Sequence, residues 1–246
     1  MLSVKGLSFH YPDSEPLFED ISFSLQAGEA LGIIGPSGCG KSTLALALCG
    51  IIPHRIEGRI EGDVFILGED IRKLTLPQIA TRVGIVFQDP ETQLFLPQII
   101  YELAFGPENL CLPREKITRV VNETAALTGL ESLLAQHPYE ISGGQQQLVA
   151  LSAVLCLDPS LLILDEVASQ LDQESSARIL SIVQQLKHKG KTVVMIDHNL
   201  KRLQLADRIL VMGFGLKHHL GNMNDILDHK ELLEEYFGNT PAERVL

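Results

Sequence analysis

Apolar residues occupy every second position across much of the first thirty residues. LSVKGLSFHY (2–11) and ISFSLQ (21–26) therefore read as half-buried strands, and the turn-rich YPDSEP (11–16) between them makes the pair antiparallel. The alternation gives way to EALGIIG (29–35), a continuous apolar run that ends in a glycine-rich loop. Residues 41–50, rich in alanine and leucine, read as a helix, and the glycine-punctuated IEGRIEGDVFILGED (56–70) reads as a second hairpin. Three more apolar runs of strand length follow: RVGIVF (82–87), LLILDE (161–166) and TVVMID (192–197). Runs without a polar face suit central strands of a parallel sheet covered by helices on both sides.

From 88 to 158 the pattern is helical, as in EKITRVVNETAALTGL (115–130), with prolines at 97, 107, 113 and 138. The expected fold class is α/β: a parallel-sheet core, an N-terminal antiparallel β-subdomain, and an α-helical subdomain inserted at about 89–158. A length of 246 residues admits one large domain or two small ones. No Ser/Gly linker, low-complexity tract or repeat divides the chain, so 1–246 is expected to form one unit. Beyond 212, a short polar hairpin, a helix near NDILDHKELLEEYF (224–237) and a frayed tail are expected as a C-terminal extension from about 213.

Hydrophobic residues make up 45% of the chain, enough for a full core. Thirty-one acidic residues against 20 basic ones give a net charge of −11, which argues against nucleic acid as a partner. A small anion held by backbone amides is compatible with that charge. The start, MLSVKGLSFHY, lacks the basic-then-apolar layout of a secretory signal, and no apolar stretch reaches the ~18 residues of a membrane span. LVALSAVLCL (148–157) is short and reads as a buried helix. Cys39, Cys49, Cys111 and Cys156 show no CxxC spacing and are expected as reduced thiols of a cytosolic protein. Any role at a membrane is then exercised from its surface, through a partner.

GPSGCGKST (35–43) fits G-x-x-x-x-G-K-[ST] between an expected strand and an expected helix, the context that makes the pattern specific for a nucleoside triphosphate. Gly35, Gly38 and Gly40 let the backbone wrap an anion, with Pro36, Ser37, Cys39 and Thr43 completing the loop. Lys41 is placed to reach the β- and γ-phosphates, and the Ser42 hydroxyl to ligate Mg²⁺. In LLILDE, four apolar residues bury a strand and Asp165 emerges at its carboxyl end, where it can hold Mg²⁺ through water. Glu166 is then placed to orient or deprotonate an attacking water.

A second cradle lies in YEISGGQQQLVA (139–150), where Ser142, Gly143 and Gly144 precede a helical run, yet no lysine follows. Taken in order, the phosphate loop, Gln88, ISGGQ, LLILDE, SQLD (169–172) and His198 after VVMID resemble the ATP-binding-cassette (ABC) ATPases. That resemblance spans nearly the whole chain. It implies a P-loop NTPase core with a RecA-like parallel sheet, ATP and Mg²⁺ as ligands, and ATP hydrolysis. It also accounts for the second cradle, because in that family two cassettes pair head to tail. Ser142, Gly143, Gly144 and Gln145 of one would close over the ATP held by the other. The resemblance further implies that Tyr11 stacks on adenine, an outward strand tyrosine being the plain alternative. Gln88 would contact Mg²⁺ and the attacking water, His198 the γ-phosphate, and Asp172 the facing subunit.

The chain departs from the family pattern at Leu148, where arginine is usual, and at Val167 and Ala168 in place of proline and threonine. Gln170 replaces a small residue. These positions are expected towards the dimer side. Cys39 puts a thiol in the phosphate loop, whose alkylation is expected to block ATP. No coiled-coil or zinc-bearing insertion lies between 41 and 142, and the chain has room for one cassette. A transporter subunit is favoured on those grounds over repair or translation ATPases, and the lack of N-K-x-D disfavours a GTPase.

GIVFQDPETQLF (84–95) and CGIIPHRIEGRIEG (49–62) are similar to the energy-coupling-factor (ECF) ATPases, which power uptake of vitamins and of cobalt or nickel. That similarity implies an integral membrane subunit docking near 88–95. Leu94, Phe95, Leu96 and Phe105 would line the groove or belong to the core of the insertion. The implied partners are this membrane subunit and a second ABC ATPase, of the same or a sister chain. The implied location is the cytoplasmic side of the membrane. A conventional ABC importer or exporter is the alternative within transport, and a soluble ATP-switched protein without a transport partner the alternative outside it.

Overall fold

The computed structural model describes residues 1–169, 171–214, 218–228 and 236. Strands β1 (Leu2–His10) and β2 (Phe18–Leu25) pair antiparallel, as their alternation requires. Strand β3 (Ala30–Ile34) leaves this pair for a second sheet, while β4 (Arg59–Ile66) and β5 (Glu69–Asp70) return to it. The result is a four-stranded antiparallel sheet in the order β2-β1-β4-β5. The continuous apolar runs form the second sheet from β3, β6 (Val83–Val86), β7 (Leu161–Asp165), β8 (Thr192–Ile196) and β9 (Arg208–Met212), all parallel to their neighbours. Strand β10 (His218–Gly221) adds antiparallel to β9, completing the order β10-β9-β3-β8-β7-β6. Strand β9, whose apolar run is only the four residues ILVM, is not among the elements expected from the pattern.

Each central strand is buried on both faces and divides its side chains by twos. In β7, Leu162 and Leu164 pack into the cluster shared with the helical insertion, while Leu161 and Ile163 pack into the cluster shared with the antiparallel sheet. Strand β8 splits the same way, Val193 and Met195 against Val194 and Ile196. Each fully buried side chain of this kind contributes roughly 1.5–3 kcal/mol.

Helix α1 (Lys41–Leu48) follows the glycine-rich loop, and the short α2 (Ile51–His54) and α3 (Leu76–Ala80) flank the return to the antiparallel sheet. Between β6 and β7 the chain forms α4 (Ile99–Asn109), α5 (Arg114–Thr128) and α6 (Gly143–Leu155). Helix α5 stops at Gly129, whose φ of +67° is the left-handed cap glycine favours. Helix α7 (Gln173–His188) precedes β8, and α8 (Met223–Asp228) follows β10. The remainder of the helix expected over 224–237, the tail beyond it and Gln170 lie outside the described residues, Tyr236 excepted. Among the described residues no helix is long and apolar enough to cross a membrane.

Candidate functional site

Strand β3 delivers the chain into the phosphate loop and α1 carries it away. Gly38 and Gly40 sit at φ +86° and +105°, a region L side chains rarely adopt, so the loop can fold back over its own backbone. Helix α1 opens at Gly40 with no side-chain cap and no acidic residue in its first turn. The free N–H groups of that turn and the positive end of the helix dipole suit an anion. Lys41 is buried, and its ammonium donates to the Gly35 and Pro36 carbonyls at 2.9 and 3.1 Å. Ser37 and Ser42 are exposed along the loop. Tyr11 reaches the same helix, its hydroxyl 3.1 Å from Thr43 Oγ1 and its ring edge-on to Phe9 at 4.9 Å.

Cys39 is 2% exposed, and burial pushes its thiol up. Alkylation needs an accessible thiolate. The expected sensitivity of the loop thiol therefore meets a barrier the motif did not reveal, while Cys111 is exposed.

Strands β7 and β8 bring the acidic pair and the histidine to the lysine. Asp165, the last residue of β7, is buried, and its Oδ1 has no hydrogen-bond partner among the described residues. Burial pushes the Asp165 carboxyl up, while the neighbouring Ser42 hydroxyl pulls it down. A buried carboxylate oxygen without a donor, beside a hydroxyl, is a donor set that suits a hard divalent cation, so Mg²⁺ fits these residues. Glu166 adopts φ +51°, an unusual conformation for a side chain of its size, and its N–H donates to the Ile196 carbonyl at 2.9 Å. That conformation sets Oε1 3.7 Å from Lys41 Nζ and Oε2 3.6 Å from His198 Nδ1. A carboxylate thus stands between a buried ammonium and a half-exposed imidazole.

The second group of residues assembles separately. At the start of α6, Ser142 Oγ accepts from the Gln145 N–H at 3.3 Å, and Gln145 Oε1 accepts from the Ser142 N–H at 2.9 Å. This capping box leaves the Gly143 and Gly144 N–H groups as donors at a helix start. Asp172 caps α7, accepting from the Ser175 N–H and hydroxyl at 2.9 and 2.8 Å. Gly144 lies against that cap: a Cβ there would stand 2.4 Å from Ser175 Oγ and 3.6 Å from Asp172 Oδ2. Among the described residues no hydrogen bond or ion pair links Ser142–Gln145 or Asp172 to the phosphate loop. Gln88 is exposed beyond β6 and makes no hydrogen bond to a described residue.

The departures from the family pattern point inward. Leu148, Val167 and Ala168 are all buried within this chain, so their side chains act through packing and do not present a dimer-facing surface. Gln170 lies outside the described residues. The four candidates for a docking groove divide. Leu94 belongs to the core and Leu96 is half-buried, while Phe95 and Phe105 are 63% and 44% exposed and meet edge to face at 5.0 Å.

Several residues around the site were not anticipated. Asp197 Oδ1 lies 3.6 Å from His198 Nδ1, 3.4 Å from Arg202 Nη1, and accepts from the Asn199 N–H at 2.9 Å. Arg202 also donates to the Ser169 carbonyl at 3.3 Å, tying the histidine segment to the segment that leads to Asp172. Gln147 donates to the Phe87 carbonyl at 2.9 Å and Gln93 accepts from the Phe87 N–H at 2.8 Å, so two glutamines fix the residue before Gln88. A buried glutamine inside an apolar helix, as Gln147 is, signals a partner, but sequence does not say which.

A glycine-rich loop with a buried lysine, an acidic pair at the end of one strand and a histidine after the next define a P-loop ATPase. The ABC transporter family model matches residues 18–169, and the chain belongs to that family: it is an ATP-binding, ATP-hydrolysing ABC-type ATPase. It is 42% identical over 246 residues to the energy-coupling factor transporter ATP-binding protein EcfA of Methanosarcina acetivorans, covering 100% of this chain and 87% of that one. It is 35% identical over 245 residues to the energy-coupling factor transporter ATP-binding protein EcfA2 of Methanospirillum hungatei, covering 98% and 60%. The solved structure of cbiO1 from Clostridium perfringens, part of the ABC transporter complex cbiONQ, has a TM-score of 0.83 at 27% identity and covers 99% of this chain and 96% of that one.

Proposed function

We propose that this ATPase powers an ECF-type importer of a small solute, a vitamin or a transition-metal ion, from the cytoplasmic face of the membrane. The observation that carries this reading is the exposed Phe95–Phe105 pair, a few residues beyond Gln88 and beside exposed Tyr101. Large aromatic side chains grouped at a surface mark an interaction site. The likeness to EcfA proteins supports the class of complex.

In this reading Tyr11 stacks on adenine and residues 35–43 cradle the phosphates, with Lys41 on the β- and γ-phosphates. Ser42, Asp165 and Gln88 would hold Mg²⁺, which when bound would supply positive charge to offset that of the phosphates. Glu166 accepts the proton of the attacking water, its carboxylate flanked by Lys41 and His198. His198 turns to the γ-phosphate. Ser142, Gly143, Gly144 and Gln145 of a second ABC ATPase close over the nucleotide, with Asp172 beside the seam. ATP binds the closed pair better than the open one, so binding closes it and hydrolysis releases it. A membrane subunit docked at 88–95 moves with that cycle.

The test is purification of the tagged chain from membranes of its own cell in mild detergent. A polytopic membrane protein in stoichiometric amount is expected, and it should be lost from a Phe95→Glu/Phe105→Glu variant that still binds ATP. Retention of that protein by the variant would remove the aromatic pair from the interface. Failure to recover any polytopic protein would favour a soluble ATP-switched role.

A further inference from the structure

A cavity of about 570 Å³ lies between the helical insertion and the core, away from the nucleotide. The nucleotide-site groups stand at the carboxyl ends of β3, β7 and β8. The cavity instead touches Leu162, near the start of β7, and Lys191, just before β8. A strand length, roughly 16 Å at about 3.3 Å per residue, separates the two.

The cavity has two chemistries. Its floor is apolar and buried, made by Leu162 of β7, Leu186 of α7 and Cys156 after α6. Its rim carries Lys116 and Arg119 of α5, Lys189 after α7, and Lys191. On α5, Lys116, Arg119, Val120, Glu123 and Leu127 recur at three- and four-residue steps, so one helical face presents cations and apolar groups together. Lys191 is paired with Asp158 at 2.5 Å. Lys116, Arg119 and Lys189 make no ion pair among the described residues, and Glu123 is the one other acid on the rim. Such a cluster of cations is notable in a chain of net charge −11. Four cations against two acids leave the rim net positive over a low-dielectric floor, and such a cleft concentrates ligands of the opposite sign. Its volume falls in the range of about 300–1,000 Å³ typical of small-molecule sites.

We propose that this cavity binds an amphipathic monoanion, a medium-chain carboxylate or a compound of that shape. The apolar body lies on the Leu162–Leu186 floor and the carboxylate is held by Arg119 and Lys189. The occupant touches α5 on one side and α7 on the other, and so bridges the insertion to the core.

The test uses the full chain with saturating ADP, so that the nucleotide site is filled. The probe is 1-anilinonaphthalene-8-sulfonate, whose fluorescence rises on apolar burial, with decanoate and decanol as competitors. One saturable probe site per chain is expected, displaced by decanoate and not by decanol. Arg119→Glu/Lys189→Glu should weaken the probe at least tenfold, and Arg119→Lys/Lys189→Arg should restore it. Retained ATP binding and an unchanged melting temperature in the reversed variant show that it is folded. The absence of a saturable site, equal displacement by decanol, or unchanged affinity in a folded reversed variant would each overturn the proposal.

Discussion

A Cβ on Gly144 would stand 2.4 Å from the hydroxyl of Ser175, whereas a Cβ on Gly143 would meet no described residue within 4 Å. The two adjacent glycines therefore answer to different constraints. Gly144 lets α6 approach the start of α7, and Gly143 has no packing reason among the described residues. Gly144→Ala should destabilise the protein by about 1–3 kcal/mol through overpacking. Gly143→Ala should melt like the parent and lose only the closure of a second cassette over ATP. Thermal melts of the two variants check the first statement, and ATP-dependent mass in solution the second. A Gly144→Ala variant that melts like the parent would show that the helices have room to separate.

Glu166 is a carboxylate within 4 Å of both Lys41 and His198, and it occupies a left-handed backbone conformation fixed by a hydrogen bond to Ile196. Glu166→Gln keeps the shape of the side chain but removes the carboxylate proposed to accept the proton. Turnover should fall roughly 10²–10⁴-fold, the usual span of general base catalysis, while ATP affinity stays within a few-fold. With ATP the variant should accumulate as a closed pair. A doubled solution mass would identify a second copy of this chain as the partner, and a monomer that binds ATP would identify a sister chain. Unaltered turnover would remove Glu166 from the chemistry.

Asp165 titrates in a direction that can be checked without activity. Burial raises its carboxyl above the ordinary 3.8, so between that value and its folded value the native state holds more protons than the unfolded chain. Stability from this group therefore falls as pH rises through that window. Asp165→Asn removes the effect, so the variant's stability relative to the parent should grow from pH 4 upward and then level off. Urea midpoints of both proteins, in chelator and without nucleotide, measure this. A difference that shrinks with rising pH would contradict the assignment. Mg²⁺-dependent hydrolysis should be lost in the variant at every pH.

Much of this was legible in the sequence because it is local. Alternation in 2–11 and 21–26 and the apolar runs at 82–87, 161–166 and 192–197 each specify an element from a handful of adjacent residues. The phosphate loop is likewise contiguous, and its spacing alone places Lys41 at the head of α1. What escaped depends on distant partners. Strand β9 is identified as core only by its pairing with β3. The inward packing of Leu148, Val167 and Ala168 arises from tertiary contacts. Gln147 reaches a carbonyl 60 residues away, and Arg202 a carbonyl 33 residues away. The separation of Leu94 from Phe95 into core and surface also required the fold, since both are apolar and adjacent.

The four cysteines give a prediction that separates motif from environment. Cys39 is buried with its thiol pushed up, and burial raises Cys49 and Cys156 to about 11. Cys111, in the bend between α4 and α5, is exposed. Only thiolates react quickly, and they must be reachable. One equivalent of maleimide at pH 7 should therefore label Cys111 and leave ATP hydrolysis intact. In a Cys111→Ser variant, labelling should become slow, appear at Cys39 on peptide mapping, and advance in step with the loss of ATP binding. Bound ATP should retard that slow reaction, because the phosphates would lie over the loop that covers the thiol. Rapid labelling of Cys39 in the parent would mean that the loop opens far more often than its packing against Gly35 implies. Loss of hydrolysis on labelling Cys111 alone would instead mean that the bend between α4 and α5 is coupled to the nucleotide.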